Sequence, residues 1–461
     1  MSRVRRKPNI LVILVDDLRY DEFGAGGHPY LKTPHIDRIA REGAMFERAF
    51  HTTPICSPNR ASMLTGQYAS RHGIIDNVAR DAASHRLPNY HLHLQKLGYE
   101  TAHIGKWHMG NDGKPRPGYD FWVAYDGHGR LFDPVLNEQG TYVQRAGYVT
   151  DIMNEMAVAY VKRRHDKPWS LWFAHKAVHP DAEQAADGTF KMDGYRPAKR
   201  HENLYRNCVF PKKPNMQTPG EFLRHKPAWA EAVELRKSEQ SRALLDAIHS
   251  GTQEEIRLRA CMMAAVDEGV GMLLAALEET GQLDDTLIFF LGDNGYFFGE
   301  HGIGPERRFA YEEGIRSPLI ARFPRRIKAG MRCGELVILQ DLAPTIIDIA
   351  GGRPGAHIQG RTLTPLLAGR KKGWRKSVLI EYWSENAYPW LINMTYKAVR
   401  TDRYKYIHWV NRNRARELDE LYDLETDPYE LVNLVRSSRQ KAVRERLRRE
   451  LRRLAADAMG L

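Results

Sequence analysis

Fully apolar runs alternate along this chain with segments whose apolar residues recur every three to four positions. The run Asn9 to Val15 is too short for a helix of its own and has no polar alternation, so it predicts a strand buried on both faces. Ile36 to Glu42 reads as a helix. Leu92 to Leu97 reads as a helix leading into a strand at Tyr99 to Ile104. Asp151 to Arg164 and Trp169 to Ala174 repeat that order, as do Glu255 to Thr280, ended by Gly281, and Thr286 to Leu291. A further helix over Leu342 to Ala350 closes at Gly351-Gly352. Strands alternating with helices predict an α/β protein with a large, mainly parallel sheet sandwiched by helices. Residues from about 180 to 250 are polar, irregular and proline-containing, as expected of an insertion beside a substrate mouth. After Leu367 the texture changes. Ser377 to Trp383, Tyr396 to Thr401, Tyr404 to Val410 and Glu420 to Leu424 read as short strands of a small antiparallel sheet. The expected division is a catalytic α/β domain over 1–370 and a small C-terminal unit over 371–461 that ends in a helix.

That last helix carries much of the charge. The 461 residues sum to a net charge of +12. Arg439, Lys441, Arg444, Arg446, Arg448, Arg449, Arg452 and Arg453, set against Glu445 and Glu450, supply half of it. Val443, Leu447, Leu451 and Leu454 fall at helical spacing, so the basic residues form the outer face of an amphipathic helix. The reading favoured here is a solvated face rather than a nucleic-acid contact. A hydrophobic content of 42% is ordinary for a globular protein, and no apolar run is read as membrane-spanning. Arg3, Arg5, Arg6 and Lys7 before Ile10 to Val15 imitate a signal peptide, but the run is short and no small-residue cleavage site follows. A cytoplasmic protein is the expectation, or a periplasmic or secreted one if a leader has been removed. Cys56, Cys208, Cys261 and Cys333 have no paired spacing, so neither a disulfide framework nor a zinc site is expected.

Two buried strands run directly into carboxylates: Asp16-Asp17 after the first, and Gly292-Asp293-Asn294-Gly295 after Thr286 to Leu291. Ligands gather at the carboxyl ends of strands in open α/β sheets. An all-oxygen set there suits a hard cation, Ca²⁺ or Mg²⁺. Either pair alone reads more simply as a turn. Cys56 lies in Pro54-Ile55-Cys56-Ser57-Pro58-Asn59-Arg60, with Ser57 as the expected N-cap and Gly66 as the stop of a helix that begins just after the cysteine. An anion is favoured at such a helix N-terminus.

The Cys-X-Pro-X-Arg pattern at Cys56 resembles the site at which sulfatases oxidise cysteine to formylglycine. Further segments carry the same resemblance in the same order. They are Thr33-Pro34-His35-Ile36-Asp37, Gly105-Lys106-Trp107-His108, Gly292 to Gly295 with Gly299-Glu300-His301-Gly302, and Leu421-Tyr422-Asp423-Leu424. The chain is therefore identified as similar to the formylglycine-dependent sulfatases of the alkaline phosphatase-like superfamily. The resemblance implies a hydrolase that releases sulfate from an aryl or carbohydrate sulfate ester. It implies a cation held by Asp16, Asp17, Asp293 and Asn294 together with the modified residue 56. It also implies a hydrated aldehyde at 56 whose one hydroxyl attacks sulfur, while Asp293 accepts the proton. Arg60 and Lys106 would hold that hydrate. Lys106, His179 and Arg307 would bind sulfate, with His179 protonating the leaving oxygen. His108 would deprotonate the second hydroxyl so that sulfate is eliminated, and His175 would be structural. A formylglycine-generating enzyme is implied as a transient partner, whereas nucleic acid and membrane are not expected as partners.

One departure stands out. Arg307, in Gly304-Pro305-Glu306-Arg307-Arg308, occupies the place where the family often has lysine. Arginine keeps the charge and binds sulfate bidentately, but is larger and does not give up a proton. The alternative on this scaffold is a phosphonate or phosphate ester hydrolase. Lys106 with His108, and Asn rather than His at 294, favour the sulfatase. Tyr195, Arg196, Arg200, His201 and Tyr205 in the insertion are candidates for meeting a sugar or, more simply, a solvated loop.

Overall fold

The computed structural model describes residues 7–187, 190–216, 226–228, 252–304, 306–385, 391, 394–410 and 418–461. Ten strands form one sheet in the order Met331–Cys333, Ala44–Phe46, Leu319–Arg322, Thr286–Gly292, Asn9–Val15, Trp169–Ala174, Glu100–Gly105, Phe121–Ala124, Val135–Glu138, Thr141–Gln144. Its centre is parallel, from Thr286–Gly292 across to Phe121–Ala124. Antiparallel strands flank the centre on both sides.

The first strand shows why its sequence is apolar without a break. Leu11, Ile13 and Val15 enter the core on one face, beneath the helices Pro34–Glu42, Val149–Lys162 and Gln253–Glu279. Ile10, Val12 and Leu14 enter the core on the other, beneath Cys56–Thr65, Tyr90–Lys96 and Leu342–Ile349. A strand covered on both sides has no polar face to present. Among the described residues, the helix Gln253–Glu279 is long and apolar enough to cross a membrane, contrary to the reading of the sequence. Most of its apolar residues, Val266, Val270, Leu273 and Leu277 among them, are buried in the core, while Met272 is exposed.

Two local expectations are corrected. Cys56 is the first residue of its helix rather than the residue before it, and Ile55 takes the N-cap position without a side-chain cap. Ser57 does not cap; its hydroxyl donates instead to the carbonyl of His108. The segment expected to be irregular carries a hairpin, Asp181–Gln184 against Phe190–Gly194. Within that segment, residues 217–225 and 229–250 lie outside the described residues.

The C-terminal strands Ser377–Tyr382, Tyr396–Thr401, Tyr404–Trp409 and Glu420–Asp423 form a separate antiparallel sheet in chain order. One face, with Val378, Ile380, Tyr396 and Trp409, shares a core with Phe50, Phe297 and Tyr311 of the large unit. The other, with Leu379, Val399 and Tyr406, is covered by Leu447, Leu451 and Ala458 of the basic helix Lys441–Met459.

Buried ion pairs join the two sheets. Lys405, fully buried, lies 3.2 Å from Glu312 and pairs with Glu430. Arg400 holds Glu312 at 3.0 Å, and Lys226 sits between the rings of Tyr311 and Tyr422, 4.0 and 4.1 Å from their centroids. Oxygen and nitrogen atoms of His301, Glu313 and Glu430 approach as metal ligands do. The lysine ammonium on Glu430 makes that cluster an ion-pair network. Lys405→Met is expected to destabilise the protein by about 3–5 kcal/mol, because it strands buried carboxylates. Urea unfolding measures this; a change under 1 kcal/mol contradicts it.

Candidate active site

Four parallel strands deliver the site from their carboxyl ends. Asn9–Val15 gives Asp16 and Asp17, Thr286–Gly292 gives Asp293 and Asn294, and Glu100–Gly105 gives Lys106 and His108. Trp169–Ala174 leads to His175, Lys176 and His179. Main-chain bonds continue the sheet into these turns: Asp16 N donates to Ala177 O, Val178 N to Asp16 O, and Asp293 N to Val15 O. Asp17 and His108 have φ values of 57° and 59°, a left-handed conformation that costs a non-glycine residue on the order of 1–3 kcal/mol. Gly105 is required before Lys106, since a Cβ there would lie 1.9 Å from Ala174 O.

Cys56 enters from the opposite side, at the head of a helix buried along its whole length. Its Sγ is 3.5 Å from Asp16 Oδ1. Ligand atoms of Asp16, Asp17, Cys56 and Asp293 all lie within 4.8 Å of one another. Asn294 donates to Asp17 Oδ1 at 2.6 Å, while its own buried Oδ1 has no hydrogen-bond partner. Three buried carboxylates, a partnerless amide oxygen and no apolar intrusion fit a hard divalent cation.

The cations of the site are tied to these acids. Arg60, one helical turn from Cys56, donates through Nε to Asp293 Oδ2 at 2.7 Å and through Nη1 to Lys106 O at 2.6 Å. Lys106 donates to Asp16. Arg307 donates to Asp17 Oδ2 at 3.0 Å and lies 3.4 Å from His179 Nε2. The ten residues named from the sequence thus fall into one buried cluster, His108 through its ring against that of His128, with centroids 4.1 Å apart.

Charge crowding shapes the proton affinities. Burial, and then Asp16, push Asp293 up to about 7. Burial also raises Asp17, against the pull of Arg307. Burial acts on Asp16 in the same direction, but Lys106, His179 and Arg60 outweigh it and hold Asp16 well below the usual carboxylate range. Burial, with Asp16 and Asp293, drives the Cys56 thiol well above its ordinary value. A thiol that stays protonated is a poor nucleophile, so the cysteine itself is unsuited to attack.

Sequence reasoning missed His128. Its ring stacks between those of His108 and His179, with centroids at 4.1 and 4.3 Å. Its Nδ1 lies 3.0 Å from Lys106 Nζ, and since an ammonium only donates, Nδ1 accepts and the ring proton sits on Nε2. Lys176, pushed down to about 7 by burial and then by Lys106, donates to the His128 carbonyl at 3.0 Å. Gly127-His128-Gly129 has neither motif nor periodicity to reveal it. Arg259 and Glu22 were also missed. They pair at 2.7 Å, and Arg259 donates to the Asp17 carbonyl at 2.7 Å, bracing that turn from behind.

Other candidates make contacts within the fold. His175 is buried against Phe173 with ring centroids 4.3 Å apart. Arg200 is bound to Asp151 and Glu268, both at 2.6 Å, and His201 lies 3.1 Å from Glu268. Tyr205 accepts from Lys32 N, and Tyr195 meets the Tyr296 hydroxyl at 2.5 Å.

Comparison with known proteins agrees with this geometry. Residues 8–352 match the sulfatase family, and residues 299–457 match the family described as N-sulphoglucosamine sulphohydrolase, C-terminal. The N-acetylglucosamine-6-O-sulfatase of Bacteroides thetaiotaomicron is 30% identical, covering 93% of this chain and 83% of that protein. The choline-sulfatase of Rhizobium meliloti is also 30% identical, over 94% of this chain and 83% of its own. A structure solved in complex with its substrate D-glucosamine-2-N,6-O-disulfate superposes with a TM-score of 0.83 at 28% identity, covering 99% of this chain and 98% of that one. The chain belongs to the sulfatase family and is a hydrolase of sulfate esters, of a family that generally uses a metal ion and formylglycine. The phosphonate monoester hydrolase of Silicibacter pomeroyi shares the fold, with a TM-score of 0.78 at 23% identity over 98% of this chain and 96% of that one.

Its contact with Lys106 makes a part for His128 in turnover an expected result. His128→Phe keeps a ring in the stack but removes the acceptor that shares Lys106 with Asp16. We expect kcat to fall roughly 10- to 100-fold, the scale of a misplaced catalytic group, with KM nearly unchanged. His128→Gln, which keeps an acceptor, should retain most of the activity. Equal activity of the Phe variant and the wild type contradicts this.

Proposed function

We propose that the protein releases sulfate from a carbohydrate sulfate ester, using a formylglycine at position 56 and a divalent cation held by Asp16, Asp17, Asp293 and Asn294. The observation that carries the reading is the Cys56 side chain at the head of a buried helix, among three carboxylates, Arg60 and Lys106. Asp16, Asp17, Asp293 and Asn294 would hold Ca²⁺ or Mg²⁺, which would supply Lewis-acid stabilisation of negative charge on the sulfuryl group. Residue 56, as an aldehyde hydrate, supplies two hydroxyls where the thiol supplies one poor nucleophile.

The side chains then have separate tasks. Asp293 accepts the proton of the attacking hydroxyl, and Arg60 orients the hydrate. Lys106 and Arg307 neutralise the sulfuryl group. His179 donates its Nδ1 proton to Pro180 O at 2.8 Å, which leaves Nε2 facing Arg307 as the working nitrogen. Burial, and then Lys106, hold its pKa well below the ordinary value. An incoming anion opposes that bias and favours the protonated ring that the leaving oxygen needs. His108 removes the proton of the second hydroxyl, which expels sulfate and restores the aldehyde.

The carbohydrate assignment is supported by the relatives named for N-acetylglucosamine sulfate and by the substrate in the most similar structure cited above. A formylglycine-generating enzyme is required for activity. Sulfate release from N-acetylglucosamine 6-sulfate, choline sulfate and a phenyl phosphonate, compared by kcat/KM, tests the reading. The sugar sulfate is expected to lead; dominance of the phosphonate overturns the proposal.

A further inference from the structure

A second site of the opposite character lies on the small C-terminal sheet. A cavity of about 690 Å³ opens where the strand ends at Ser377 and Thr401 meet the basic helix. Lys376, Arg403, Tyr404, Arg446, Arg449 and Arg453 line it. Through Lys376, Ser377, Glu450 and Arg453 it continues into a neighbouring cavity of about 470 Å³, so the two form one trough along the helix.

The charges in this trough are not balanced internally. Arg403 is held by Asp423 at 2.6 Å and Glu425 at 2.9 Å, and Arg453 by Glu450 and Asp457, both at 2.7 Å. The acid Asp402 is drawn off by Arg48 at 3.1 Å. Lys376, Arg446 and Arg449 are exposed and face the same cavity, and among the described residues none has an ion-pair partner. The apolar side of the helix is already spent on Leu447 and Leu451 beneath it, so packing does not explain why three cations converge. Tyr404 adds a half-buried ring beside them.

We infer that this trough binds a sulfated polysaccharide chain, apart from the catalytic site. Unpaired cations answer the sulfate groups, and the tyrosine ring answers the apolar face of a sugar. The choice of a glycan over another polyanion rests on the proposed function, because a polymer carrying many sulfates presents ligands to both sites at once. The strand Ser377–Tyr382 leads from the trough toward Glu385, which holds Arg308 beside Arg307. That strand, six residues at about 3.3 Å each, covers roughly 20 Å of the way. A tethered chain then reaches the catalytic site at a raised effective concentration between turnovers.

The test uses the full chain and heparin as the probe, with Arg446→Glu/Arg449→Glu and the milder Arg446→Gln/Arg449→Gln. Heparin Kd is expected to rise about tenfold or more in the Glu variant and less in the Gln variant. The dependence of binding on salt should become shallower, as it does when contacts to a polyanion are lost. Turnover of a small aryl sulfate should stay within about twofold of wild type. Unchanged heparin affinity in both variants overturns the inference. So does double-stranded DNA that binds as tightly as heparin at the same salt, since the trough would then be a non-selective cationic surface. If instead the functional reading fails, the wild type releases no sulfate from the aryl ester while charge reversal still weakens heparin binding.

Discussion

Cys56→Ala is expected to lower sulfate release by at least about 10³-fold, the scale on which deletion of a nucleophile acts, while the fold survives. Burial and two flanking carboxylates push this thiol up, which disfavours the thiolate and agrees with a nucleophile made from the cysteine by oxidation. Alanine keeps Cβ but removes the sulfur through which that carbon is oxidised to the aldehyde, so no hydrate forms. It leaves the helix, the Arg60–Asp293 bond at 2.7 Å and the acids in place. The packing cost is the loss of one sulfur atom, on the order of 1 kcal/mol. Steady-state sulfate release, with thermal unfolding as control, reads both halves. Full activity in the alanine variant contradicts the mechanism.

The second large effect concerns Asp293. Without a cation, Asp293 is crowded by Asp16 in a buried site and its pKa rises to about 7. The unfolded chain releases that proton near the ordinary value of 3.8. Between these pH values the folded state binds more protons than the unfolded, so stability falls as pH rises through the window. Chelated protein is therefore expected to melt at a higher temperature near pH 5 than near pH 7.5, by a few degrees. Added Ca²⁺ should remove most of that slope. Asp293→Asn should flatten the slope without cation, diminish the gain in Tm on adding Ca²⁺, and lower kcat by about 10² or more. A variant that still gains the wild-type increment from Ca²⁺ contradicts the placement of the ion.

Much of this was legible in the sequence, for physical reasons. A strand buried on both faces must be apolar throughout, so Asn9 to Val15 and Thr286 to Leu291 announced themselves, and the acids that end them marked the ligand side of the sheet. The small sheet was legible as short strands set apart by polar turns after Leu367. His128 was not, because a loop histidine between two glycines acquires its meaning only when the sheet brings its loop over Lys106. Arg259 was hidden for a related reason: it lies on a helix whose periodicity is that of a core element, and its partner Glu22 is 237 residues away in the chain. The cap at Cys56 was misread because Ser57 was credited with a local bond. Its hydroxyl reaches a carbonyl 51 residues away instead. Arg200 and His201 read most simply as part of a solvated loop, whereas they pair with the acids of two helices, Asp151 and Glu268, which lie far from them in the chain.

The most direct measurement is peptide mass spectrometry across residue 56 on protein co-produced with a formylglycine-generating enzyme, paired with sulfate release before and after chelation. The account predicts a peptide of aldehyde mass and sulfate release that chelation abolishes and Ca²⁺ or Mg²⁺ restores. An intact thiol in protein that nevertheless releases sulfate at full rate would contradict it.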